Sequence, residues 1–79
     1  MHTGENISVI ASFGPSYKVR PVRFRWSGKL FDVKEVTYSW NTRDGQKVIY
    51  HFSVTDGRTL YELTFDTHSL LWKIEDLET

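Results

Sequence analysis

The sequence has no cysteine, one methionine, two prolines and no long apolar run. Without cysteine it can form no disulfide, no thiol nucleophile and no thiolate zinc site, and its redox compartment is left unmarked. No stretch approaches the roughly 20 apolar residues that cross a bilayer as a helix. Residues 1–9 lack the basic and then apolar pattern of a signal peptide. We therefore expect a cytoplasmic protein that does not enter a membrane.

Net charge is absent as well, because ten basic and ten acidic side chains cancel. This balance excludes a histone-like polycation and an acidic tail. The sum nevertheless conceals an asymmetry, since residues 1–47 carry +4 (eight basic, four acidic) and residues 48–79 carry −4 (two basic, six acidic). The sequence thus predicts a dipolar molecule, on which a local charged surface can still bind a partner.

The chain is short, and its 79 residues allow a single domain with a small core. We expect residues 6–76 to form the ordered part of this domain, and residues 1–5 and 77–79 to fray. Aromatic residues make up 15% of the chain. They must therefore supply a large share of what the core buries.

Apolar and polar side chains alternate with a period of two along most of the chain, which indicates half-buried β-strands. In one segment Val22, Phe24 and Trp26 alternate with Arg23 and Arg25. Short turns rich in Gly, Asp and Ser separate such segments. The expected strands comprise residues 6–13, 19–26, 29–41, 47–55, 59–66 and 70–76. The pattern predicts an all-β fold, a six-stranded antiparallel meander in a strongly bent sheet or partly open barrel.

Two of these segments are irregular. Within residues 29–41 the apolar positions change from odd to even numbers, so we expect a β-bulge near Lys34-Glu35 that bends the strand. Residues 70–76 fit a helical face about as well as a strand. We favour the strand, because Asp66 and Trp72 are spaced as in a hairpin.

Most strands carry one further apolar residue on the face that should be polar. These off-phase residues are Ile10, Leu30, Ile49, Leu60 and Leu71. Either the sheet curls and buries them, or they form a patch for a second subunit or another partner. We favour curling, because six twisted strands with a bulge favour curvature.

A basic run with no acidic residue lies within residues 17–30. Basic strand residues interleaved with aromatic ones can form a nucleic-acid surface. A two-residue turn at Ser27-Gly28 would instead pair Arg23 with Asp32 and make the run an ordinary solvated face. The candidate contacts for nucleic acid or a partner are Lys18, Arg20, Arg25 and Lys29.

The three tryptophans are expected in two kinds of environment. Trp26 and Trp40 follow the inward phase of their strands and are expected in the core. Trp72 lies in the last segment and is the candidate for a partly exposed ring that contacts a ligand.

Residues that could carry chemistry are sparse. His2, His51 and His68 lack the spacing of metal ligands, and no serine lies in a nucleophile motif. Glycine-rich phosphate loops are absent too. We therefore expect no metal site, no cofactor and no enzymatic activity.

Residues 21–36 resemble a small bacterial domain family of unknown function. The shared pattern is Pro-x-x-Phe-x-Trp-x-Gly, then a basic residue, an aromatic residue and Val, with Trp40 a few residues on. The likeness covers about residues 7–75, although Phe31 stands where many members carry Tyr and the turn before Trp72 is longer. Similar segments also resemble the C-terminal end of a polymerase-like accessory protein of bacterial damage-induced mutagenesis. The resemblance implies a non-catalytic appendage beside DNA repair proteins.

The sequence therefore predicts a non-enzymatic binding module, an accessory to DNA repair proteins or to nucleic acid through its basic hairpin. The alternative is a structural or homo-oligomerisation domain that associates through the off-phase residues.

Overall fold

The computed structural model describes residues 2–78, and it consists of strands joined by short turns. The strands are β1 (His2–Ser12), β2 (Arg20–Trp26), β3 (Lys29–Asp32), β4 (Glu35–Asp44), β5 (Lys47–Thr55), β6 (Leu60–Asp66) and β7 (Leu71–Glu78). Of the ends expected to fray, residues 2–5 lie in β1 and residues 77–78 lie in β7. Residues 1 and 79 lie outside the described part of the chain.

All seven strands form one antiparallel sheet in the order β3-β2-β1-β7-β6-β5-β4. The prediction of an all-β antiparallel fold is confirmed, with seven strands in place of six. β1 lies in the middle because it pairs with β7 through residues 2–7 and with β2 through residues 8–12. The sheet is open, and β3 and β4 form its two edges.

The two edges of the sheet are joined by a corner of two residues. The N–H of Val33 donates to the carbonyl oxygen of Val22 on β2, and the N–H of Lys34 donates to that of Thr55 on β5, both at 2.9 Å. The single strand expected over residues 29–41 is therefore divided into β3 and β4. Because so short a connection links opposite edges, the sheet has to bend strongly.

The bulge expected near Lys34-Glu35 lies further along, in β4. The register with β5 shifts between Val36 and Tyr38, which lie opposite Val54 and Ser53. Val36 keeps its contact with the core, whereas Tyr38 is turned outward and is 66% exposed. An extra residue in one strand moves the following side chains to the other face.

The turn between β2 and β3 fixes the pairing of the hairpin. Ser27 has φ 54° and Gly28 has φ 77°, and two positive φ angles are typical of the two-residue turn whose twist matches that of the strands. The predicted register of this hairpin is confirmed, with Arg23 opposite Asp32 and Phe24 opposite Phe31. Local turn chemistry alone was sufficient to predict these contacts.

The core lies on the inner face of the sheet and is rich in aromatic rings. Most of its buried apolar side chains come from β5, β6 and β7, and Phe24 on β2 reaches the same cluster at 1% exposure. The buried apolar residues are Val19, Phe24, Phe52, Val54, Tyr61, Leu63, Phe65, Trp72 and Ile74.

Trp72 and Trp40 do not lie where the sequence pattern placed them. The last segment is a strand, as favoured, but the expectation that Trp72 is partly exposed is wrong. Its ring is 8% exposed and stacks on Phe65, with 4.8 Å between the ring centroids. Trp40 follows the bulge, lies opposite His51 and faces outward with it instead of entering the core.

Candidate binding surfaces

The outer face of β2 carries a row of arginines, which we call the arginine face (Arg20, Arg23 and Arg25). Phe24 and Pro21 are buried on the inner side of the same strand. Strict alternation would place Pro21 and Phe24 on opposite faces, but the register with β1 shifts between Ile10 and Ala11, which lie opposite Arg23 and Pro21, so β2 contains one extra residue at Val22. Both buried residues therefore face inward, and the arginines beside them project outward. All three are exposed.

The arginines of this face differ in their partners. The Nε of Arg23 donates to Oδ1 of Asp32 at 2.6 Å, which confirms the predicted cross-strand pair. Arg20 places its guanidinium 5.8 Å from the centre of the Tyr17 ring. Arg25 makes no ion pair with any residue from 2 to 78. The face therefore keeps an uncompensated positive charge on both sides of one neutralised arginine.

Aliphatic side chains are exposed between the arginines. Ile10 on β1 lies opposite Arg23 and is 61% exposed, and Leu30 on β3 lies opposite Arg25 and is 56% exposed. They help to line a shallow depression of about 180 Å³, together with Ser8. Cationic groups of the arginine face therefore lie next to exposed apolar side chains, and we call Ile10 and Leu30 its apolar floor.

The other predicted contacts lie apart from this face. Lys18 is exposed in the loop before β2. Lys29 lies opposite Trp26 at the tip of the hairpin, on the side of the sheet opposite Arg25. Trp72 is in the core. Of the five residues predicted as contacts, only Arg20 and Arg25 lie on the arginine face.

The off-phase residues are not buried by curvature, so that expectation is wrong for most of them. Ile10, Leu30, Leu60 and Leu71 are exposed, and Ile49 is half-buried. They do not lie together either. Ile10 and Leu30 flank the arginine face, Ile49 and Leu71 lie on either side of Asp66, and Leu60 lies between Thr55 and Glu78.

The outer face of β5, β6 and β7 is acidic and hydrogen-bonded, and we call it the acidic face. Asp66 accepts hydrogen bonds from the N–H groups of His68 at 2.8 Å and Ser69 at 3.2 Å, and it pairs with Lys47 at 3.4 Å. Burial raises the pKa of Asp66, but these two N–H groups and the lysine outweigh it and hold the pKa below its ordinary value.

A second depression on the acidic face measures about 470 Å³. It is lined by His2, Thr3, Gly4, His51, Glu62, Thr64 and Glu75. The hydroxyl of Thr64 donates to Oε2 of Glu75 at 2.9 Å. Within residues 2–78 no group of three or more His, Asp or Glu side chains is arranged to hold a metal ion.

His51 links the acidic face to the edge strand β4. Its ring stacks on Trp40 at 4.9 Å with an angle of 11° between the planes, and its Nε2 is 2.9 Å from the hydroxyl of Thr42. Its Nδ1 is buried and has no hydrogen-bond partner within residues 2–78. Alternation along the strand does not predict this stack, because the bulge that turns Trp40 outward is a tertiary feature.

Comparison of the chain with protein-family models, with curated proteins and with solved structures finds no match. The described chain, residues 2–78, also contains no helix with the length and apolar character required to cross a membrane. The surfaces themselves therefore have to support any proposal about what the protein binds.

Proposed function

We propose that this protein is a cytoplasmic, non-enzymatic module that binds nucleic acid through the arginine face. The observation that carries the proposal is the row of Arg20, Arg23 and Arg25 on one outward strand face, with Asp32 as its paired carboxylate. Guanidinium groups bind phosphate oxygens with a planar set of donors, and release of counterions then supplies the affinity.

The distribution of charge over the molecule supports a defined orientation of the partner. The acidic face carries Glu62, Asp66 and Glu75 beside Lys47 and Lys73, so its carboxylates outnumber its lysines and disfavour a polyanion. The arginine face lies on β2, on the far side of β1 from those strands. A dipolar protein of zero net charge can thus present a single surface to phosphates.

The cellular setting that we propose for this binding rests on the sequence resemblance alone. Residues 21–36 resemble a small bacterial domain family of unknown function, and similar segments look like the C-terminal end of an accessory protein of damage-induced mutagenesis. In the proposed role the module acts beside DNA repair proteins and performs no chemical step.

The arginine face is tested by a double variant and a control of equal charge. Arg20→Ala with Arg25→Ala removes the two arginines without a carboxylate partner, whereas Arg43→Ala with Arg58→Ala removes two exposed arginines elsewhere. Binding of labelled DNA and RNA is measured by fluorescence anisotropy over a range of salt concentrations. The first variant should reduce the slope of log K against log salt by about 0.7 per lost contact on a single strand, or about 0.9 on a duplex.

The control should retain the slope and most of the affinity of the wild-type protein. Absence of binding at low salt would reject the proposal. So would an equal loss in both double variants, because binding would then depend on total charge and not on the arginine face.

A structural or homo-oligomerisation role through the off-phase residues remains the second proposal. Exposure of Ile10 and Leu30 favours it, but separation of the five residues into three places weakens it. Sedimentation is measured for the wild-type protein, for Ile10→Ser with Leu30→Ser and for Leu60→Ser with Leu71→Ser. A wild-type oligomer that dissociates in either variant would support this role, and a wild-type monomer would reject it.

A further inference from the structure

The arginine face is a broad surface and not a projecting ribbon. β2 is hydrogen-bonded to β1 on one side and to β3 on the other, and β1 continues the sheet into β7. Three strands span about 10 Å between their outer axes before side chains are counted. The major groove of DNA is about 12 Å wide and admits a helix or a two-stranded ribbon. Three strands with their side chains are too wide to enter it.

The inner side of the β2–β3 hairpin packs on the core, so the hairpin cannot leave the sheet to enter the major groove. The Phe24 ring stacks on Phe31 at 5.2 Å and meets the edge of Tyr61 at 5.1 Å, and Phe31 lies 5.6 Å from Tyr61. Duplex DNA can therefore reach the arginines only through its outer phosphates.

The apolar floor of the face is unsuited to a duplex. In a duplex the bases are stacked inside, so Ile10 and Leu30 would meet sugars and phosphates and gain little from contact. In a single strand the bases are free to lie against apolar side chains. Both aliphatic groups flank β2 at the positions of Arg23 and Arg25, so bases and phosphates of one strand could be bound side by side.

Tyr17 extends this floor at the opposite end of the row. Its hydroxyl lies 2.7 Å from that of Ser12, and its ring is 5.8 Å from the guanidinium of Arg20. A tyrosine held at its hydroxyl offers a positioned aromatic surface, on which a base of any identity can stack.

We propose that the arginine face selects single-stranded over double-stranded nucleic acid. In this arrangement Arg20 and Arg25 bind phosphates while Ile10, Leu30 and Tyr17 contact bases. The inference rests on the proposed function, which by itself requires only phosphate binding.

The test compares strands of matched sequence and a pair of apolar variants. Labelled single-stranded DNA and RNA of about 12 nucleotides and the corresponding DNA duplex are titrated at equal ionic strength. The single strands should bind at least about tenfold more tightly than the duplex. Ile10→Ser with Leu30→Ser should weaken single-strand binding about fivefold, with no change in the salt slope or in duplex binding.

The matched control is Leu60→Ser with Leu71→Ser, which removes two exposed leucines outside the arginine face. It should bind both ligands as the wild-type protein does, and thermal melting checks that each variant is folded. Equal affinity for single strand and duplex, with both dependent on Arg20 and Arg25, would overturn the single-strand inference and leave the proposed function intact. An equal effect of Ile10→Ser with Leu30→Ser on both ligands would overturn it as well, whereas no binding of either ligand would overturn both proposals.

Discussion

The two charged faces of the sheet are built in different ways. On the acidic face, Asp66 is bound by two backbone N–H groups and Lys47, and Glu75 accepts from Thr64. On the arginine face, Arg23 is paired but Arg25 has no ion-pair partner within residues 2–78. Charges bound by neighbours serve mainly to hold turns and strands. Charges without such partners are available to a ligand, which is why the arginine face is the better candidate for binding.

The inner sides of the two regions differ in a corresponding way. β5, β6 and β7 contribute most of the buried apolar side chains, whereas β2 contributes Phe24 to the same cluster. The hairpin of β2 and β3 is therefore attached to a core that other strands largely build. Its binding residues can vary on the outer face while Phe24 keeps it in place.

The largest expected effect concerns this attachment. Phe24→Ala should lower the free energy of unfolding by about 3–5 kcal/mol, and Leu63→Ala by about 2–5 kcal/mol, because each leaves a cavity in one shared core. Urea unfolding is followed by tryptophan fluorescence and by circular dichroism. Val22→Ala, at an exposed site on the same strand, should change stability little.

Coincident transitions with both probes would show that the two regions unfold as one unit. If Phe24→Ala instead produced a separate, earlier transition confined to the hairpin, the arginine face would belong to an independently unfolding part.

An intermediate effect is expected at the turn between β5 and β6. Oδ1 of Asp56 accepts from the N–H groups of Thr59 and Arg58, both at 2.9 Å, and Oδ2 accepts from the hydroxyl of Tyr61 at 3.0 Å. The N–H groups of Thr59 and Arg58 hold the pKa of Asp56 below its ordinary value of 3.8. Asp56→Ala should therefore cost about 1 kcal/mol of unfolding free energy at neutral pH.

The pH dependence follows from the direction of this shift. A carboxyl group with a lowered folded pKa stabilises the protein above its unfolded pKa, and this contribution is lost as the pH falls through the folded value. Asp56→Asn keeps an oxygen acceptor but has no carboxyl group to protonate. As the pH is lowered below about 5, its free energy of unfolding should therefore decrease less steeply than that of the wild-type protein. The control is Asp44→Ala, which removes an exposed aspartate from the last position of β4. An equal loss in that variant would show that the hydrogen bonds of Asp56 are not the cause.

The smallest effect on stability is expected within the arginine face. Arg23→Ala breaks a solvent-exposed pair with Asp32 and should change the unfolding free energy by less than about 1 kcal/mol. In nucleic-acid titrations it should reduce the salt slope less than Arg25→Ala does, because Asp32 already neutralises Arg23. Equal slopes for the two single variants would remove the distinction between paired and unpaired arginines.

The features that depend on neighbouring residues were predictable from the sequence. Alternation of period two predicted the strands, and Ser27-Gly28 predicted the hairpin in which Arg23 meets Asp32. The turn that begins at Asp66 and the final strand after it were predicted in the same way. Each of these depends on residues within one hairpin, whose turn sets the register of both strands.

Which faces are exposed and which strands are edges depends on long-range pairing, and the sequence pattern did not predict it. β1 and β7 are adjacent although they lie at opposite ends of the chain, and the corner at Val33 and Lys34 joins two edges of the sheet. These long-range pairings bury Trp72, and the bulge in β4 turns Trp40 outward, which alternation within a strand cannot predict. The same arrangement leaves the arginines and the aliphatic residues beside them together on one open face. The cause is physical: local sequence fixes the direction of a side chain relative to its own strand, but only the packing of the whole sheet fixes what lies opposite it.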